Sequence, residues 1–111
     1  MRIIDTGITQ EMLSGDNHPQ ITIAGKNYIV DDRQKTFDKM QEIQSNTEMT
    51  DTEKTEKIYT LALGELAAKE ILDLDLTVEQ NGYLSFCIMG AITGKDPKEL
   101  QELAKKQAGK N

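Results

Sequence analysis

The chain has no tryptophan, one cysteine, one histidine and two prolines among its 111 residues, and its aromatic set is completed by two phenylalanines and three tyrosines. Each scarcity removes a class of function. A lone cysteine, Cys87, can close no internal disulfide and anchor no cysteine-rich metal site. It sits in the most apolar stretch of the chain, which suits a reducing compartment. The longest apolar run, Tyr83 to Ile92, is interrupted by Ser85 and Gly90 and falls far short of the roughly 20 residues that a spanning helix needs. No basic flank leading into an apolar run opens the sequence. Basic charge is also in short supply, with 13 Lys and Arg against 19 Asp and Glu and a net charge of −6. The imbalance is uneven: residues 1–94 carry −8 and residues 95–111 carry +2. A mainly acidic surface repels phosphate backbones and anionic headgroups, so neither nucleic acid nor membrane is expected as the partner. A soluble, cytoplasmic protein of one domain follows, with a modest core, because the hydrophobic share is 37% and the length suffices for a single core.

Residues 1–20 scatter Ile3, Ile4, Ile8, Met12 and Leu13 among Gly7, Gly15, Asp16, Asn17 and Pro19 with no sustained period. They read as a flexible arm holding a short strand or a helical turn. From Ile21 to Val30 the pattern predicts a hairpin about a Gly25-Lys26 turn, which pairs Ile23 with Tyr28 and Ile21 with Val30 on one face and Thr22 with Ile29 on the other. Four helices follow. The first is capped by Asp31 or Asp32 and carries the stripe Phe37, Met40 and Ile43. The second opens on the capping-box pair Thr50 and Glu53 and runs through Ile58, Tyr59, Leu66 and Ile71 to Leu72. Thr77 and Gln80 open the third, which is apolar nearly all round from Tyr83 and is therefore expected at the centre. It ends at Gly94. The last begins at Asp96 and Pro97 and bears the thin stripe Leu100, Leu103, Ala104 and Ala108. The fold class is mainly α with a small N-terminal β-hairpin: a domain over residues 21–108 built on a bundle of about four helices, with residues 109–111 as a frayed tail.

The residues that carry chemistry elsewhere are here poorly placed for it. His18 lies in a Gly, Asp, Asn and Pro stretch and reads as a solvated loop histidine. Cys87, mid-helix between Phe86 and Ile88, reads as structural, because burial makes a thiol inert. Asp73, Asp75 and Glu79 imitate part of a calcium loop, but Val78 stands where that loop needs Gly and Leu84 where it needs Glu. Gly25-Lys26-Asn27 is too short for a phosphate loop. Lys95, Lys98, Lys105, Lys106 and Lys110 alternate with acids and lack the aromatics of a base-stacking platform. No catalytic, cofactor-binding or metal-binding residue is expected. An isolated hairpin is marginal in water, and Ile29 faces outward on it, so subunits are expected to associate through the hairpin edge.

The succession of a polar arm, a hairpin Ile-Thr-Ile-Ala-Gly-Lys-Asn-Tyr-Ile-Val, and helices with a break at Ile92-Thr93-Gly94-Lys95-Asp96-Pro97-Lys98-Glu99-Leu100 resembles the small tail assembly chaperones of long-tailed phages. The resemblance covers roughly residues 20 to 108. It implies a non-enzymatic protein of the host bacterial cytoplasm that coats the apolar helical tape measure protein and helps recruit tail tube subunits. It also implies a frameshifted longer product, and Gly109-Lys110-Asn111 can be encoded as GGA AAA AAT or AAC, a run on which a ribosome can slip. Ile29 and, beside the tail, Leu100 and Leu103 are the expected partner contacts. The competing class is a small acidic adaptor or regulatory interaction protein of a phage or mobile element.

Overall fold

The computed structural model describes residues 1–14 and 18–108, without the side chains of residues 107–108. The tail expected over 109–111, the Ala108 side chain and part of the arm lie outside the described residues. Eight elements follow one another: α1 (Gln10–Leu13), β1 (Gln20–Ile23), β2 (Lys26–Ile29), α2 (Gln34–Ser45), α3 (Asp51–Leu63), α4 (Glu65–Asp73), α5 (Val78–Thr93) and α6 (Pro97–Ala108). The mainly α fold with a small hairpin is what the sequence implied.

One core joins the hairpin to α2, α3, α4 and α5. Its five largest fully buried side chains each come from a different segment: Val30 just after β2, Met40 of α2, Tyr59 of α3, Ile71 of α4 and Ile88 of α5. None of these elements buries enough apolar area alone, so each is held by the others. Within α2, only Met40 of the expected stripe is fully buried, with Ile43 packed at the core's margin.

The hairpin differs from expectation in its pairing. The turn is Ala24-Gly25, both in the left-handed region at φ 50° and 80°, and the pairs are Ile21 with Tyr28 and Ile23 with Lys26. Two successive positive φ angles give a turn whose twist matches that of the strands, and glycine serves its second central position, not its first. The one-residue displacement of the turn moves each pairing by two, so the faces are unchanged. Ile21, Ile23, Tyr28 and Val30 still point to the core and Ile29 still points away.

The second expected helix is two. At Gly64 the backbone leaves the helix (φ 93°, ψ 161°) and α4 starts in a new direction, so the bundle has five helices after the hairpin, not four. A residue with a Cβ adopts such a conformation only under strain. At the start of α2 the expected cap also fails: Arg33 occupies the N-cap position and its side chain makes no capping bond to the helix. Asp31 instead accepts hydrogen bonds from the Arg33 guanidinium and the Thr36 hydroxyl.

The other helix ends follow their sequence signals. The Thr50 hydroxyl accepts from the Glu53 N–H at 3.2 Å. Thr77 and Gln80 make a reciprocal capping box. Gly94 is left-handed at φ 77°, and the Asp96 carboxylate accepts from the Lys98 N–H at 2.8 Å. Gly90 is required by close approach, since a Cβ there would stand 2.6 Å from the Lys95 carbonyl oxygen and 3.1 Å from the Pro97 ring.

Ile88→Ala is expected to cost about 2–5 kcal/mol through lost transfer energy and a cavity. Gly90→Ala is expected to cost about 1–3 kcal/mol by pushing the α5–α6 loop off its seat. Urea unfolding measures both, and unchanged midpoints would place α5 at the periphery.

Candidate functional site

The break at Gly64 decides which apolar side chains remain outside. Had α3 continued, Leu66 would have extended the buried arc of Ile58, Tyr59 and Ala62. Because the chain turns at Gly64, Leu66 is 83% exposed while Ala68 and Ile71 go inward. Leu66 then lines a groove together with Ile29, which is 52% exposed on the outer face of β2. The groove measures about 710 Å³ and is lined by Tyr28, Ile29, Leu63, Leu66 and Ala67, with Lys26 and Glu70 at its rim. A smaller one of about 350 Å³, also lined by Ile29, Leu63 and Gly64, continues toward His18 and Asp31.

Polar contacts fix the walls of this surface. Lys26 Nζ is 2.7 Å from Glu70 Oε2, and the Tyr28 hydroxyl donates to the same oxygen at 3.2 Å, which joins the hairpin to α4. The hydrogen bond to Glu70 raises the Lys26 pKa, and the one from Lys26 lowers that of Glu70. Burial, followed by its bond to Glu70, raises the Tyr28 pKa. At the other end, the Asp31 N–H donates to the Ala62 carbonyl at 2.8 Å, so the segment after β2 is tied to the end of α3 just before the break. The Arg33 guanidinium beside Asp31 holds its carboxyl well below the usual carboxylate range.

His18 is not the solvated loop histidine that its neighbours in sequence suggested. Its ring is 18% exposed and Nδ1 lies 2.5 Å from Asp32 Oδ1, because Pro19 extends the hairpin ladder by accepting from the Val30 N–H and so carries His18 alongside Asp32. The pair clamps the entry to β1. Cys87 is half-buried, and burial pushes its thiol pKa up, away from the thiolate that a nucleophile needs. Among the described residues no group of three His, Cys, Asp or Glu side chains is placed to hold a metal ion, and no helix is long and apolar enough to cross a membrane.

The three expected partner contacts do not form one patch. Ile29 borders the α3–α4 break, whereas Leu103, 52% exposed, and Leu100, half-buried, lie on α6, which packs against α5. Leu66, read from the sequence only as one of the apolar residues of the second helix, was not among the expected contacts. Gly64 was the available signal, a glycine interrupting a helical pattern two residues earlier. Comparison with protein-family models, with curated proteins and with solved structures finds no match to this chain.

Since the folded-state pKa of Asp31 is lowered, the stabilisation it supplies is present above the unfolded carboxylate value of about 4. It is lost as pH falls below that value. Asp31→Asn is therefore expected to unfold about 1–2 kcal/mol more easily than the native chain at neutral pH, with the difference shrinking below pH about 4. Paired chemical-denaturation curves from neutral to acid pH check this, and a difference that grows on acidification would refute the assignment.

Proposed function

We propose that this chain is a non-enzymatic tail assembly chaperone of a long-tailed phage, acting in the bacterial cytoplasm. It holds the tape measure protein and helps recruit tail tube subunits. The observation that carries the reading is the apolar groove lined by Ile29 of β2 and Leu66 of α4, two large aliphatic side chains left 52% and 83% exposed. An exposed apolar surface with polar rims is the usual form of a protein docking site. A groove of this kind suits an amphipathic helix whose apolar stripe recurs every three to four residues. Lys26 and Glu70 at the rim offer both signs of charge to the polar flanks of such a helix. Leu103 on α6 adds a second, separate contact, to which half-buried Leu100 contributes little area. The order of hairpin and helices along the sequence, which resembles that family, supports the same reading, and the acidic balance of residues 1–94 supports a protein partner over nucleic acid.

The test is co-expression with a tape measure fragment from the same genome. The fragment is expected to stay soluble and copurify with the native chain. With Ile29→Asp and Leu66→Asp together it is expected to be lost to the pellet. The substituted chain itself should unfold within about 0.5 kcal/mol of the native one per position, because both side chains are on the surface. A fragment that remains insoluble in the presence of the native chain would replace this reading with that of a small acidic adaptor.

A further inference from the structure

Among the described residues, two further apolar features stand out beside the surface along β2. One is the N-terminal arm, where Ile3, Ile4, Ile8, Met12 and Leu13 are between 56% and 86% exposed. The other is a trough along the opposite edge of the hairpin. Two adjoining grooves of about 850 and 520 Å³ run between β1 and α5 and share Thr22, Leu84 and Cys87 in their walls. Leu76, Tyr83 and Ala91 extend the apolar lining.

The edge of β1 in this trough is an open pairing site. Ile23 and Lys26 flank the two-residue turn and Pro19 accepts from the Val30 N–H, so the ladder uses the backbone of residues 19, 21 and 23. The N–H and C=O groups of Gln20 and Thr22 are left pointing from the other side. Exposed edges of this kind add a strand readily.

We propose that the arm of a second copy of this chain occupies the trough, with residues 2–6 added to β1 as an antiparallel third strand. Three features of the chain fit that occupant. Ile3, Ile4 and Thr6 are β-branched, which favours a strand. The five residues 2–6 are long enough to span the four of β1, and Gly7, at φ 78° with its N–H on the Asp5 carboxylate, turns the chain away after them. Charge sets the direction. Arg2, Ile4 and Thr6 fall on one face of such a strand; Glu79 stands at the Ala24 end of the trough with no basic residue in that lining, whereas Asp96 at the Gln20 end is accompanied by Lys95. Arg2 beside Glu79 and Ile4 over Leu84 and Cys87 make the added strand run opposite to β1.

The donor is another copy because of where the arm leaves its own fold. His18 on Asp32 and Pro19 on Val30 hold the exit of the arm against β2, and residues 1–13 are exposed throughout. With a radius of gyration of 15.9 Å and extents of 53 × 37 × 27 Å, the chain is more extended than the about 13 Å radius of a compact domain of this length. An arm exposed along its whole described length is free to leave its own fold, and two copies can exchange arms about a two-fold axis.

Cys87 is the sole cysteine of the chain and reports directly on the trough. Full-length Ile4→Cys/Cys87→Ser is mixed with the native chain under mild oxidation, and the products are read by mass. A disulfide between the two different chains is expected, well above that given by a Leu66→Cys/Cys87→Ser control. Cross-linking no better than the control overturns the proposal, as does an exclusively intramolecular disulfide in the Ile4→Cys single variant. Sedimentation supplies the second readout. The native chain should associate with rising concentration, and Ile4→Lys/Ile8→Lys should weaken that association by at least about tenfold with an unchanged unfolding midpoint. A native chain that stays monomeric, or variants that associate equally well, would overturn it too.

Discussion

Tyr59 is the side chain on which the rest of the molecule is arranged. It is fully buried in the middle of α3, and its hydroxyl donates to the Asn81 side-chain oxygen at 2.8 Å. Asn81 in turn donates to the Leu76 carbonyl, so a single buried phenol fixes both the start of α5 and the link that leads into it. Burial pushes the Tyr59 pKa up to about 12, which keeps the proton available for donation across the physiological range. A phenol buried without such an acceptor would carry an uncompensated desolvation cost. The hydrogen bond therefore ties the first turn of α5 to α3. Around it, Val30, Met40, Ile71 and Ile88 bring in one element each.

A core this small leaves apolar side chains over. Among the described residues ten hydrophobic side chains are buried, while Ile29, Leu66, Leu74, Val78 and Leu103 stay at least 48% exposed. Their positions follow from local constraints. Ile29 must point outward because the period of a strand puts its neighbours Tyr28 and Val30 inward, and Leu66 points outward because Gly64 redirects α4. Exposure of this kind costs solubility unless something covers it, and the two surfaces on either side of the hairpin invite different partners. The groove beside β2 presents apolar walls and paired rim charges, which suit a helix. The trough beside β1 presents open backbone groups, which suit a strand.

Much of this was legible in the sequence where a signal was local. The capping residues Thr50, Thr77 and Asp96, the left-handed Gly94 and the inward face of the hairpin all rest on chemistry confined to a few adjacent residues. The hairpin register was not, because Ala24-Gly25 and Gly25-Lys26 turns bury the same face and differ only in backbone twist. The division of α3 from α4 was missed because apolar periodicity continues across Gly64 from Leu63 to Leu66, and the pattern does not record a change of axis. His18 was misjudged because Asp32 is distant in sequence and close only once the ladder has been extended by Pro19 and Val30. Of the candidate surface, Ile29 was visible from strand alternation, whereas Leu66 required the break to be known.

The central claim is that an apolar helix is held in the groove between Ile29 and Leu66. Calorimetric titration of the native chain with a soluble amphipathic helical peptide, repeated over a range of temperature and of salt, tests it most directly. Burial of the two apolar faces predicts a negative heat-capacity change and an affinity almost independent of salt. A heat-capacity change near zero, or an affinity that falls steeply as salt is raised in the manner of charge-driven binding, would contradict it.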